Sequence, residues 1–203
     1  MLLDPDDSQL VLVDYQARLM PAIHDGALAL ANAMRLARLA ALMDVPVFGT
    51  EQNPAGLGPN DPALRALCSR TLAKMHFSAV PDGLTDWLRP PARPQGGNAR
   101  SLPRHLQKRE PQPAAQGRNT VLIAGCEAHV CLLQTALDLL DEEFDVCVVT
   151  DACGSRSERN RDAAFDRLAG AGEELPYVGR VVRRGAAASG GGPTSASDSP
   201  GCA

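Results

Sequence analysis

Aromatic side chains are scarce in this chain of 203 residues, at 3%, so aliphatic residues must fill whatever core it forms. The chain also lacks a short CxxC pair. Its six cysteines stand at 68, 126, 131, 147, 153 and 202, without the regular spacing that staples small secreted domains. They read as free thiols of a reducing compartment. A positively charged start is missing too, since Asp4, Asp6 and Asp7 precede the first apolar run, the reverse of an export signal. The richest apolar stretch, residues 27–43, is broken by Asn32, Arg35 and Arg38 and falls short of a bilayer span. Positive charge is not in excess: the formal net charge of -4 offers no attraction to phosphate backbones or anionic lipid. Together these absences predict a cytoplasmic protein with neither nucleic acid nor membrane as partner.

What is present fits one globular core, with 44% hydrophobic and 22% charged residues. Leu10–Asp14 (LVLVD) has the pattern of a strand buried on both faces. Ala-, Leu- and Met-rich residues 27–43 then predict a helix, and Val45–Gly49 a second strand, which makes a βαβ unit and a parallel sheet. Residues 53–61 read as loop, Pro62–Thr71 as a short helix and Lys74–Ser78 as a strand. Beyond them, Thr120–Gly125 and Asp145–Thr150 predict interior strands, Val130–Glu142 and Glu158–Ala169 helices, and Val178–Val182 a last strand. Strands alternating with helices imply an α/β fold: three layers, α/β/α, around a central, mostly parallel sheet.

Two segments depart from this pattern. Residues 89–119 concentrate Pro, Gly, Arg and Gln with little apolar periodicity, which predicts an exposed insertion whose basic groups are solvated. Residues 185–203 are small, polar and Gly-rich, and cannot offset the entropy of ordering. The expected organisation is one domain over residues 1–184 and a disordered tail over 185–203.

In such a sheet ligands collect beyond the carboxyl ends of the strands, which directs attention to Asp14 and to Gly125–Cys131. Cys131 falls at the start of a predicted helix, where the helix dipole and backbone N–H groups lower a thiol's pKa. By itself it reads more readily as a buried structural thiol. Asp14 could likewise cap a turn, and Lys74 could lie on the surface.

Five segments, taken together, resolve these choices. Leu10–Gln16 (LVLVDYQ), Lys74–Ser78 (KMHFS) and Gly125–Ala136 (GCEAHVCLLQTA) resemble, in order, the signature segments of the isochorismatase-like cysteine hydrolases. Thr50–Pro59 and Thr150–Ser157 extend the likeness over most of residues 8–171. The resemblance implies a catalytic triad of Asp14, Lys74 and Cys131. Attack on an amide carbonyl needs a thiolate, which Cys131 would supply, and a general acid/base, which Asp14 would supply. Lys74 would stabilise both anions. It further implies a cis peptide at Cys126–Glu127 that turns the Ala128 N–H, beside that of Cys131, toward an oxyanion. Gln52, in the loop expected to wall the pocket, and His129 are the candidate substrate contacts.

Nicotinamidases of the family carry an Asp-x-His cluster after the second strand, where this chain has Glu51-Gln-Asn-Pro, so neither metal nor other cofactor is expected. His24 and His105 read as local hydrogen-bonders. Members that cleave the vinyl ether of isochorismate do not use the cysteine, and Cys131 argues against that substrate. The function implied is hydrolysis of a small-molecule C–N bond, amide or carbamoyl, through a thioester, by a protein expected to form a homo-oligomer. Two alternatives stand beside it. One is a non-enzymatic scaffold or thiol-based redox sensor, with Cys126 as the resolving thiol. The other is an inactive member, because the apolar helix usual in the family gives way here, from about Gly172, to the Gly/Ser-rich tail.

Overall fold

A computed structural model describes residues 3–90, 117–172 and 174–181. The central part of the proposed insertion and the tail lie outside the described residues. Five strands form one sheet: β1 (Ser8–Val13), β2 (Val47–Gln52), β3 (Arg70–Lys74), β4 (Thr120–Gly125) and β5 (Asp145–Val148). Their order is β3-β2-β1-β4-β5 and all four pairings are parallel. Every residue of β1 and β4 is buried, as their unbroken apolar runs require of strands covered on both faces.

Helices flank the sheet and complete three layers. They are α1 (Gly26–Leu42), α2 (Pro54–Leu57), α3 (Pro62–Arg65), α4 (Leu84–Leu88), α5 (Leu133–Asp141) and α6 (Glu158–Gly170). α1 buries Ala29, Ala33, Leu36, Ala37 and Ala40, a stripe at helical spacing. α5 turns Ala136 and Leu139 into the core, beside Leu132. No described helix is long and apolar enough to cross a membrane.

From β1 the chain winds one way, through β2 to β3; from β4 it winds the other way, to β5. The strand order therefore reverses between β1 and β4. In parallel α/β sheets a crevice opens at that point, beyond the carboxyl ends of the strands.

Several expectations change. The strand foreseen at Lys74–Ser78 lies earlier and ends at Lys74, because Arg70–Lys74 pairs residue by residue with Phe48–Gln52. The helix foreseen to Thr71 is correspondingly cut to Pro62–Arg65, where the Asp61 carboxylate caps the N–H groups of Ala63 and Leu64. Pro54–Leu57, foreseen as loop, is a single helical turn, and α4 was not foreseen. The last strand is also displaced. Glu174 and Pro176 accept from the N–H groups of Val148 and Thr150 at 2.8 and 2.9 Å, so the edge of β5 is already paired. Residues 178–181 instead form a helical turn, with Arg180 and Val181 N–H donating to Tyr177 O.

The described arginines of the proposed insertion, Arg89 and Arg118, are half-buried and bond to backbone. Arg89 stacks 3.7 Å over the Phe144 ring and donates to Glu142 O and Glu143 O. Arg118 donates to Ser8 O at 2.7 Å and also bonds Pro5 O.

Candidate active site

A cleft of about 310 Å³ opens at the reversal point, near the lower limit for small-molecule sites. Asp14, Gln52, Glu127, His129 and Cys131 all line it, as do Arg156 and Asn160. Leu19, Leu57, Val130 and the half-exposed Phe77 supply apolar wall. A second cavity of about 40 Å³, among Leu36, Leu122 and Val181, contains no titratable group.

Asp14 follows β1 directly, with a φ of 58°, a left-handed conformation that Asp tolerates better than most residues. The turn takes its carboxylate out of the strand and over the sheet's end. There Oδ1 accepts from the Thr50 hydroxyl at 2.7 Å and Oδ2 from Lys74 Nζ at 2.8 Å. Both members of the ion pair are fully buried side chains. Such a pair persists only when its remaining hydrogen-bonding capacity is met. Lys74 meets it with Gln52 Oε1 at 3.0 Å and the carbonyls of Phe77 and His76 at 2.9 and 3.4 Å. The lysine ends β3, and the chain then curls back so that these two carbonyls cradle its ammonium.

Cys131 lies in a π-helical turn, Ala128–Leu132, between β4 and α5. Its thiol, in a residue 5% exposed, interacts with the side chains of both Asp14 and Lys74. The three expected triad members thus come together, Asp14 and Cys131 on the cleft wall and Lys74 buried behind them. One expectation fails, however: the thiol is not acidified. Burial and the adjacent Asp14 carboxylate push it up to about 12, and Lys74 offsets this only in part. The physical reason is position, since α5 begins two residues later and the sulfur is desolvated inside the preceding turn.

The peptide Cys126–Glu127 is cis. The Ala128 N–H, expected to face the oxyanion, donates instead to Gly154 O at 2.8 Å. Among the described residues the Glu127 N–H has no hydrogen-bond partner. Cys126 itself is fully buried, its sulfur 3.8 Å from that of Met20.

Gln52 lines the cleft, yet its amide is committed, Oε1 to Lys74 and Nε2 to Met75 O at 3.0 Å. It holds the lysine in place. Gln16 pins the wall behind it, bonding the backbone of Gln52 and Gly58. His129 faces the cleft with Nδ1 3.0 Å from Ser155 Oγ and Nε2 3.4 Å from Asn160 Nδ2. Glu127 sits opposite the triad, 2.7 Å from Arg156 Nε but out of line for a hydrogen bond, so that contact is Coulombic. Among the described residues no cluster of three His, Cys, Asp or Glu could hold a metal ion.

Sequence reasoning missed Thr50, Arg156, Asn160 and Phe77. The first two and Phe77 carried a signal, lying inside the Thr50–Pro59, Thr150–Ser157 and Lys74–Ser78 segments, whereas Asn160 carried none.

A model of the isochorismatase domain matches residues 108–179. Isochorismatase domain-containing protein 2 of Rattus norvegicus is 38% identical over 81% of this chain and 66% of its own length. The chain thus spans about two thirds of that relative. Three solved structures superpose well. They are a MAR1 ribonuclease from Caenorhabditis elegans (27% identity, TM-score 0.75, 98% of this chain and 95% of that one) and two YcaC proteins. The Escherichia coli YcaC, described as an octameric hydrolase of unknown specificity, has 27% identity and a TM-score of 0.73 over 91% of this chain and 82% of that one. The Pseudomonas aeruginosa YcaC, with hexane-2,5-diol and covalent acrylamide, has 26% identity and a TM-score of 0.72 over 90% and 82%. Isochorismatase domain-containing protein 2 of Pongo abelii is 39% identical across 84% of this chain and 71% of its own length, and on that likeness the chain belongs to the isochorismatase-domain family.

Proposed function

We propose that the protein is a cysteine hydrolase that cleaves a C–N bond, amide or carbamoyl, of a small molecule, with Cys131 as nucleophile, Asp14 as general acid/base and Lys74 as their charge partner. One observation carries the reading: a thiol and a carboxylate line a small cleft at the sheet's reversal point, with a buried ammonium bonded to that carboxylate behind them. Family membership and the E. coli neighbour described as a hydrolase support the reaction class.

A thiol held near 12 is neutral at physiological pH, so the proton must leave as the bond forms. Asp14 removes it while the sulfur pair attacks the carbonyl carbon and the carbonyl π electrons move to oxygen. The N–H groups of Cys131 and Glu127 are the donors for that oxyanion. Collapse expels the amine, which takes the proton from Asp14, and leaves a thioester. Water then attacks the thioester and gives a proton to Asp14, the acid departs, and the proton returns to sulfur. Lys74, 2.8 Å from Asp14, holds the carboxylate in place and offsets the negative charge that gathers at the site.

The redox-sensor alternative needs a thiolate at rest, which a neutral Cys131 does not provide. The ribonuclease named for the nematode neighbour must bind a polyanion. Here the cleft's charges cancel in pairs, Asp14 with Lys74 and Glu127 with Arg156. An oligomer remains part of the proposal, since the E. coli neighbour is octameric.

The test is Cys131→Ser assayed against a panel of small amides and carbamoyl compounds, with intact-mass detection of acyl adducts on the parent protein. Loss of turnover in the variant and an adduct mapped to Cys131 are expected; undiminished turnover in a folded Cys131→Ser protein overturns the reading.

A further inference from the structure

Thr135 is 0% exposed, one helical turn after Cys131 on α5. A threonine hydroxyl inside a helix commonly bonds back to the carbonyl four residues earlier, a habit that stabilises nothing by itself. Here the hydroxyl does two things at once. It donates to Cys131 O at 2.7 Å and accepts from the Ala79 N–H at 3.1 Å. Ala79, also fully buried, closes the curl after β3, the same short segment whose His76 and Phe77 carbonyls hold the Lys74 ammonium. The two segments come from opposite sides of the sheet's reversal, β3 and β4–α5, and Ala79 and Thr135 are 56 positions apart in the chain. One hydroxyl therefore ties the backbone that carries the nucleophile to the backbone that cradles its cationic neighbour.

We propose that Thr135 is a positioning residue of the active site: its hydroxyl fixes the Cys131 segment against the Lys74 cradle, and so sets how strongly the ammonium acts on the sulfur. The proposal rests on the hydrolase reading for its effect on turnover, but not for its effect on the thiol. Burial and Asp14 raise the thiol while Lys74 lowers it, so loosening the tie alters the balance and moves the sulfur's ionisation.

The experiment compares Thr135→Val, which keeps the shape and removes the hydroxyl, with Thr135→Ser, which keeps the hydroxyl. Site-resolved alkylation of Cys131 by iodoacetamide is followed from neutral to alkaline pH by peptide mass spectrometry. Thr135→Val is expected to displace the rate–pH curve by about 0.5 pKa unit or more, a change of about threefold in alkylation rate at each pH below the midpoint. Thr135→Ser is expected to restore the parent curve. With a cleaved amide in hand, Thr135→Val is expected to lower kcat about tenfold with KM little changed, as for an interaction felt at the transition state. A folded Thr135→Val protein with the parent alkylation curve overturns the proposal. Should valine prevent folding, amide hydrogen exchange at Ala79 in the parent protein decides it. Slow exchange, kept in Thr135→Ser, supports the tie; exchange as fast as that of an open turn overturns it. Alkylation requires no substrate, so a failed hydrolase reading and a failed role for Thr135 give different results.

Discussion

Asp14 and Lys74 pull the Cys131 thiol in opposite directions, the carboxylate raising it and the ammonium lowering it. The carboxylate is thus an obstacle to thiolate formation at rest and, in the proposed mechanism, the acceptor of the proton during reaction. Asp14→Asn separates the two roles. Without the negative charge the thiol ionises more easily, so Cys131 should be alkylated faster than in the parent at the same pH, while turnover falls roughly 10²- to 10⁴-fold for want of a base. Alkylation kinetics beside amide turnover check it, in protein shown to be folded, because the variant leaves Lys74 buried without its counter-ion. Lys74 itself shows what sequence can and cannot reveal at this scale. Its place in the KMHFS segment singled it out, but the chain around it gave no sign that a lysine 1% exposed would find four acceptors, since two of them depend on how the next residues curl and two on distant side chains.

Among the elements, β1 and β4 were legible because a strand buried on both faces has an unmistakable apolar run. β3 was not: Arg70 to Lys74 alternates exposed and buried at the sheet's edge, and the mixed residues that follow it mimic a strand equally well. Val178–Val182 misled for a related reason, as a short β-branched segment takes strand form only where an edge is open, and Glu174 and Pro176 occupy that edge. Close approach of β1 and β4 sets the site's floor and depends on Gly125. A Cβ there would lie 2.5 Å from Val13 Cβ and Val13 O, and the latter is backbone that cannot move aside. Gly125→Ala is therefore expected to destabilise by about 1–3 kcal/mol or more and to displace Cys126–Glu127 beyond it. Urea unfolding together with kcat checks it. A loss of stability with unaltered catalysis would mean that strain at the strand end is absorbed before it reaches the cleft.

For the molecule as a whole, buried thiols make stability sensitive to alkali. Cys131 is pushed up to about 12 and Cys68 to about 11, both chiefly by burial, from an ordinary value of 9.0. Cys126 and Tyr15 move in the same direction. Folded protein then keeps protons that the unfolded chain releases above pH 9. The associated stability is complete below that pH and declines as pH rises toward 11 and 12. Cys131 alone should contribute a decline of about 1.4 kcal/mol per pH unit in that window. Urea midpoints at about pH 8 and about pH 10.5 measure the effect, and Cys131→Ser should lessen it by the share of that thiol.

The pairwise cancellation of charge in the cleft has a kinetic consequence. Two opposed ion pairs at short range leave almost no field a Debye length away, so an approaching substrate feels neither guidance nor repulsion until it touches the rim. Capture is then governed by collision and fit, and added salt should leave the encounter rate nearly unchanged.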